Sequence, residues 1–414
     1  MKIAVIASMF EKNRLRGPEQ TALTLARELS LTDDVTVIAS DCADQKSKNS
    51  LTINRIKDTK RLQNDKFNVR YLRTEPFPTS LLWFLRVFNS VTSKLNLKIY
   101  DNEFYDLMHV YSTGPFTPDI LKLFKSTKFD VILGSTFPST ISYLGLNSAL
   151  KTKIPFIFAP YYHYFLPEFK FSKVLRNMIK RSRAIVANTE YEKNELIKIG
   201  SEENKTFTVP SPFDTTITDK INLSKDEAKR KLSLDSDFIV MAPPMIGKGA
   251  DIVMHAVDQL SVMRGEKVAL LTIGEPDFLY SKFKKRTLQK NKNLKIIDLG
   301  WVDETDKWLA YLSSDLFAMP SKSDSFGLQY LEAWALSKPV VGLTGTTAEC
   351  IIDNNKNGWL IDSANSLFAL LTWGIENIDK LPRFGDEGYV KLKNEYSPKL
   401  FVYRYRKIIE RILE

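Results

Sequence analysis

The chain has 414 residues, 43% of them apolar and 26% charged, with a formal net charge of +10. This is ordinary globular composition, which excludes a disordered chain, and the length predicts two domains of roughly 200 residues each. No apolar run approaches the roughly 18 to 20 residues of a membrane span, the richest stretch, Leu81–Val91, being short and interrupted by Arg86.

The first residues, MKIAVIAS, enter a strand-like run at once, with no basic lead and small-residue cleavage site, so no secretory leader is expected. Lys2–Ala7 reads as a buried strand, Glu19–Leu29 carries apolar positions at helical spacing, and Val35–Ala39 reads as a second strand. Further strands are predicted at Phe67–Leu72, Val131–Leu133, Phe156–Ala159 and Ala184–Ala187, with a helix near Phe171–Arg181. That alternation predicts a parallel sheet flanked by helices. Pro210-Ser211-Pro212 breaks the pattern and marks an inter-domain joint. A second series follows, with strands at Phe238–Ala242, Val268–Ile273, Leu294–Leu299, Leu316–Met319 and Pro339–Leu343. Its helices fall near Asp251–Arg264, Thr305–Ser313 and Leu328–Leu336, and Pro398–Glu414 is a basic, aromatic helix. The expected fold is α/β: two Rossmann-like doubly wound domains facing a central cleft, spanning residues 1–210 and 211–395, with helix 396–414 returning to the first. In such folds ligands bind outside the carboxyl ends of the strands.

Charge divides unevenly between the halves. Residues 1–210 hold 31 Lys+Arg against 21 Asp+Glu, whereas residues 211–414 hold 28 of each. An anionic partner is therefore expected in the first half, such as a bilayer surface, a phosphorylated lipid or a nucleic acid. Thr79–Lys98 mixes Trp83, Phe84 and Phe88 with Arg86, Lys94 and Lys98, a composition suited to a membrane interface. Interleaved base-stacking and basic motifs are not evident, so nucleic acid is not the expected partner. Cys42 and Cys350 lie too far apart in sequence to suggest a disulfide framework or a zinc site. A cytoplasmic protein, or one peripheral at the inner face of a membrane, fits these features.

The strongest chemical constellation is in the second domain. The strand DLFAMPS ends in Pro320-Ser321, Asp324 follows in a loop, and Phe326-Gly327 leads into a helix bearing Glu332. Small residues at a strand-to-helix junction leave backbone N–H groups pointing outward, where a diphosphate can settle. Glu332, one turn into the helix, can accept from a ribose diol, and Asp324 from sugar hydroxyls.

These residues resemble the donor-binding half of the family 4 glycosyltransferases, which adopt the GT-B fold. The family pattern PS-x-x-E-x-FG-x-x-x-x-EAxAxGxPVV meets PSKSDSFGLQYLEAWALSKPVV here, followed by TTAECIIDNNKNGWLI. In the first half, Lys2–Leu29 with Gly17 resembles the opening strand, loop and helix, and IPFIFAPYYH resembles the strand and loop carrying an acceptor-side histidine, His163. The resemblance implies retaining transfer of a sugar from a nucleoside-diphosphate sugar to a glycan or lipid-linked acceptor. It implies neither a cofactor nor a metal, and Asp235-Ser236-Asp237 reads as a turn before a strand. It assigns His163, Lys248 and Asp324 to catalysis. Gly17, Val302, Ser325, Phe326, Gly327, Leu328 and Glu332 fall to donor binding. His109 and His255 sit in apolar helical contexts and read as structural.

Three positions depart from the family pattern. The first Glu of its pair is Asp324, one methylene shorter. The arginine that usually helps neutralise the diphosphate is replaced by Pro243-Pro244, leaving Lys248. The usual Gly before Asp is replaced in Pro212-Phe213-Asp214. Arg14, Arg16 or another residue of the facing domain is the expected substitute cation. A chain that binds nucleotide sugar, glycan or lipid phosphate without efficient transfer is the alternative; sugar-nucleotide isomerisation would need a general-base pair that is not apparent.

Overall fold

The computed structural model describes residues 1–10, 17–44, 53–56, 66–76, 84, 87, 103–264, 267–322 and 324–414. Expectations placed on Arg14 and Arg16, and on most of the 79–98 segment, lie outside the described residues. The chain forms two compact units, Met1–Pro212 with Pro398–Glu414, and Phe213–Ser397.

The first unit follows the order β1 Lys2–Met9, α1 Gly17–Leu29, β2 Asp34–Ser40, β3 Asn68–Leu72, α2 Glu103–Thr113 and α3 Ile120–Ser126. It continues with β4 Val131–Ser135, α4 Thr140–Thr152, β5 Phe156–Ala159, α5 Pro167–Lys170, α6 Lys173–Arg181, β6 Ala184–Ala187, α7 Glu190–Lys198 and β7 Thr206–Thr208. Its seven strands run in the order β3-β2-β1-β4-β5-β6-β7, every pair parallel. Because both faces are covered, the inner strands β1, β4, β5 and β6 are near-continuous apolar runs rather than alternating ones, as in Ile3–Ala7, all buried. One face carries α1 and the C-terminal helix, whose Phe401, Tyr405 and Ile409 join the core with Leu25 and Val37. Arg406 of that helix reaches Asp33 at 2.7 Å.

The second unit holds α8 Lys225–Lys231, β8 Phe238–Ala242, α9 Ala250–Arg264, β9 Val268–Thr272, α10 Phe278–Lys290, β10 Lys295–Asp298 and α11 Glu304–Ser313. After these come β11 Leu316–Ala318, α12 Leu328–Trp334, β12 Val340–Leu343, β13 Gly358–Ile361, α13 Ala364–Glu376 and α14 Leu381–Glu395. The final helix, α15 Pro398–Leu413, belongs to the first unit. The six strands are again parallel, in the order β10-β9-β8-β11-β12-β13. Two apolar layers sandwich this sheet, one built on Tyr311, Phe317, Tyr330 and Trp334, the other on Val253, Val257, Leu270 and Leu367. Among the described residues no helix is long and apolar enough to cross a membrane.

Candidate donor site in the second unit

Strand order decides where a ligand can sit. From β8 the sheet grows one way to β9 and β10, and from β11 the other way to β12 and β13, so β8 and β11 flank the switch point. The crossovers leave it in opposite directions, and a crevice opens beyond the carboxyl ends of those strands. Lys248 follows β8 and Asp324 follows β11, so topology delivers both to that crevice although 76 residues separate them.

The two loops are clasped. Gly249 has φ +84°, and a Cβ there would lie 2.4 Å from the Pro320 carbonyl oxygen, so only glycine lets the β8 loop close on the β11 loop. The Ser321 hydroxyl donates to the Gly247 carbonyl at 3.2 Å. Lys248 Nζ pairs with Asp324 Oδ1, side chains 29% and 12% exposed, so the pair is partly desolvated yet open to a ligand. From the other side, the Thr347 hydroxyl donates to the Asp324 carbonyl at 2.9 Å. Ser325 and Phe326 are buried, with the Phe326 ring edge-on to Tyr396 at 5.8 Å. Gly327, at φ +97°, precedes Leu328, the first and half-buried residue of α12. A Cβ on Gly327 would meet the Tyr330 ring at 2.8 Å, and Tyr330 is itself fixed by donating to the Met319 carbonyl.

Glu332 projects from α12 toward α11. Its Oε2 accepts from the Tyr311 hydroxyl at 2.8 Å, and its Oε1 accepts from Lys307 Nζ at 3.2 Å. Lys307 and Tyr311 stand four residues apart on α11, hence on one face of it. Lys307 also lies 3.9 Å above the Trp308 ring, a cation–π contact. Burial, then the Glu332 charge, raises the Tyr311 hydroxyl well above its ordinary pKa, so it stays a donor. A carboxylate offers about four lone-pair sites; two are used here, and the side chain remains 16% exposed.

The remaining predicted residues fall as follows. Val302 lies half-buried in the loop between β10 and α11. Pro243 and Pro244 form a turn in which Met245 N donates to the Pro243 carbonyl and Asp277 N to that of Pro244. Phe213 N donates to the Tyr396 carbonyl, which fixes the segment holding Asp214. Asp235 pairs with Lys295, and among the described residues no group of three His, Cys, Asp or Glu could hold a metal. His109 and His255 lie on α2 and α9. In the first unit, Gly17 opens α1 and its carbonyl accepts from the Thr21 hydroxyl at 3.0 Å. His163, in the loop after β5, sets its ring edge-on to Phe169 at 5.3 Å, and its carbonyl accepts from Leu166 N.

Sequence reasoning overlooked Lys307 and Tyr311; their spacing on the helix before β11 was the available signal. It also overlooked Glu192, a fully buried carboxylate that accepts from Tyr162 N at 2.6 Å. Nothing in its local sequence distinguishes it from a solvated helix acid.

Two parallel-sheet α/β units of this kind are the GT-B architecture of glycosyltransferases. The family models named Glycosyltransferase Family 4 and Glycosyl transferases group 1 match residues 15–217 and 224–389. The chain belongs to the family 4 glycosyltransferases. Among curated relatives, an uncharacterized 41.2 kDa protein in the cps region of Klebsiella pneumoniae is 25% identical over 264 residues, 61% of this chain and 71% of that protein. The D-inositol 3-phosphate glycosyltransferase of Segniliparus rotundus is 28% identical over 202 residues, 45% of this chain. The lipopolysaccharide core biosynthesis mannosyltransferase LpsB of Rhizobium meliloti is 29% identical over 171 residues, 38% of this chain. The matches span 42% and 47% of the lengths of those last two. Among solved structures, Anabaena Alr3699/HepE in complex with UDP and glucose aligns with a TM-score of 0.71 at 16% identity, covering 99% of both chains. A glycosyltransferase from Rickettsia africae gives 0.67 at 17% identity, covering 100% of this chain and 98% of its own.

Proposed function

We propose that this glycosyltransferase moves a sugar from a nucleoside-diphosphate sugar to a glycan or lipid-linked acceptor with retention of anomeric configuration. The observation that carries the reading is the placement of Lys248 with Asp324 at the β8/β11 switch point, with Glu332 one helical turn beyond. In this reading the Lys248 ammonium exchanges Asp324 for the diphosphate, freeing the carboxylate to accept from sugar hydroxyls. Glu332 keeps its two protein donors and spends its remaining lone pairs on the ribose diol. Backbone N–H groups of residues 325–328 add donors to the diphosphate, and Val302 joins the donor contacts. Gly17 and His163 take the roles that the family resemblance gives them. During transfer the anomeric carbon–oxygen bond breaks, its electron pair leaving on the diphosphate. The acceptor oxygen bonds that carbon from the same face, and its proton passes to the departing phosphate oxygen. No side-chain nucleophile is required. The name of one relative, a lipopolysaccharide core biosynthesis mannosyltransferase, supports an acceptor of the glycan or lipid-linked kind.

An anionic surface suits the first unit. The outward face of α6 exposes Lys173, Arg176, Lys180 and Arg181, and Phe165 and Phe171 stand exposed beside it. Cations interleaved with apolar groups favour an anionic interface. Of the 79–98 segment, Phe84 and Val87 are described, and both are exposed.

Pro243-Pro244 in place of a cation favours a second reading, donor binding without efficient turnover. Thermal stabilisation by a panel of nucleotide sugars, headed by UDP-glucose, tests the shared premise. Shifts that depend on the nucleotide and vanish in Glu332→Ala are expected. A flat panel, or a variant that responds like wild type, would sink both readings.

A further inference from the structure

The loop bearing His163 is held by a carboxylate from another element. At the start of α7, Thr189 caps the helix by accepting from Glu192 N at 3.0 Å. In an ordinary capping box the N3 carboxylate returns to the N–H of the capping residue. Glu192 instead reaches past it. Its Oε2 accepts from Asn188 N at 2.6 Å and from Asn188 Nδ2 at 3.1 Å, while its Oε1 accepts from Tyr162 N at 2.6 Å. Three N–H donors thus converge on one carboxylate that is wholly buried.

The network extends in both directions. Asn188 Oδ1 accepts from the Ser211 hydroxyl at 2.8 Å. Tyr161, held at φ +53°, lines one buried pocket with Thr21, and Thr21 donates to the Gly17 carbonyl. One buried polar chain therefore joins the loop after β5, the start of α7 and Ser211.

We propose that Glu192 is the positioning residue of the first unit's site: its carboxylate fixes the backbone of residues 161–163 and thereby the direction of the His163 ring. The inference rests on the role given to His163 above. The ionised form suits the geometry better than any neutral one. A protonated carboxyl, or a Gln amide, turns a donor toward Tyr162 N or Asn188, and the mismatched donor is left without a partner in the interior. The titratable groups facing Glu192 are Tyr161 from the β5 loop and Tyr405 from α15, with Glu19 from α1 beyond Tyr161. Burial pushes the Glu192 carboxyl up to about 7 against the pull of its three N–H bonds. The anchor is therefore complete above that pH and loses a bond below it.

Hydrogen exchange by mass spectrometry on the full chain tests this, read on peptides covering 158–166 and 186–193 with 316–335 as internal reference. In wild type, after correction for intrinsic rates, protection of 158–166 should fall about tenfold from pH 8 to pH 6 while the reference holds. Glu192→Gln should show the low protection at both values, with a reduced kcat, an unchanged donor KM and no limb near pH 7 in its rate profile. Wild-type protection that is flat with pH overturns the proposal without any variant, as does Glu192→Gln with wild-type protection. Exchange requires no turnover, so the expected protection change in a chain that transfers no sugar would sink the transferase reading and leave the anchor standing.

Discussion

Replacing Glu332 by Gln separates a structural role from a ligand-binding one. In wild type its carboxylate is held by the Tyr311 hydroxyl at 2.8 Å and Lys307 Nζ at 3.2 Å. A Gln side chain keeps an oxygen for the wholly buried Tyr311 hydroxyl, and Lys307 keeps the Trp308 face. The lost ion pair is partly exposed, so stability should fall by under about 1 kcal/mol. A ribose diol on this carboxylate makes two charge-assisted hydrogen bonds, and neutralising the acceptor weakens each by about 1 kcal/mol. The expected loss is about 2 kcal/mol, or roughly 30-fold in the Kd of a nucleoside diphosphate. Glu332→Ala adds a stability cost of about 1–3 kcal/mol, because it strands the Tyr311 hydroxyl. Calorimetric titration with a nucleoside diphosphate and its 2′-deoxy analogue completes a double-mutant cycle. Wild type should discriminate against the deoxy ligand and Glu332→Gln should not. Equal discrimination by both proteins, or a Gln variant that binds like wild type, would refute the assignment of Glu332 to the ribose.

Three other substitutions have expected outcomes. In the proposed reading, Lys248→Ala removes a cation beside the departing diphosphate and should lower kcat by about a hundredfold or more in a donor-saturated assay, on the scale of other electrostatic deletions. Ser337→Gly should stabilise the second unit by about 0.5–1 kcal/mol, read as a raised urea midpoint: Ser337 sits at φ +53°, and relief of left-handed strain outweighs the added chain entropy. Lys338 donates to the Ser314 carbonyl, and burial lowers its pKa to about 8. The fold thus disfavours the charged ammonium, a cost complete below pH 8 that fades as pH rises from 8 toward the unfolded value of 10.5. Lys338→Met should accordingly be more stable than wild type by about 2 kcal/mol at pH 7, with the advantage shrinking by pH 9.5 in urea titrations.

Much of the second unit was legible because its strands are buried on both faces and appear as uninterrupted apolar runs. Phe238–Ala242 carries no polar residue to blur its ends, and the strand occupies those residues. Leu294–Leu299 narrows to Lys295–Asp298, an edge strand paired with β9 alone among the described residues. Helix α2 was legible only as the helical context of His109, because a polar group is buried on it. Asp106 lies on the inner face of α2, where it accepts from the Ser172 hydroxyl and Val174 N at 2.8 and 2.7 Å, so apolar periodicity fails. The candidate residues Asp324 and Glu332 stand together in one local motif. The pairing of Lys248 with Asp324 was not legible, since their contact depends on β8 and β11 becoming neighbours through a crossover. Glu192 was invisible for a related reason: its burial comes from the β5 loop and α15, distant in sequence.

The most direct test of sugar transfer with retention is a proton NMR time course of the full chain with a nucleotide sugar and a lipid-linked or glycan acceptor. The donor's anomeric doublet should decay as a product anomeric signal with the same α or β configuration grows, at a rate strongly reduced in Lys248→Ala. A product of inverted configuration, or donors that remain intact while wild-type protein binds them, would contradict the account.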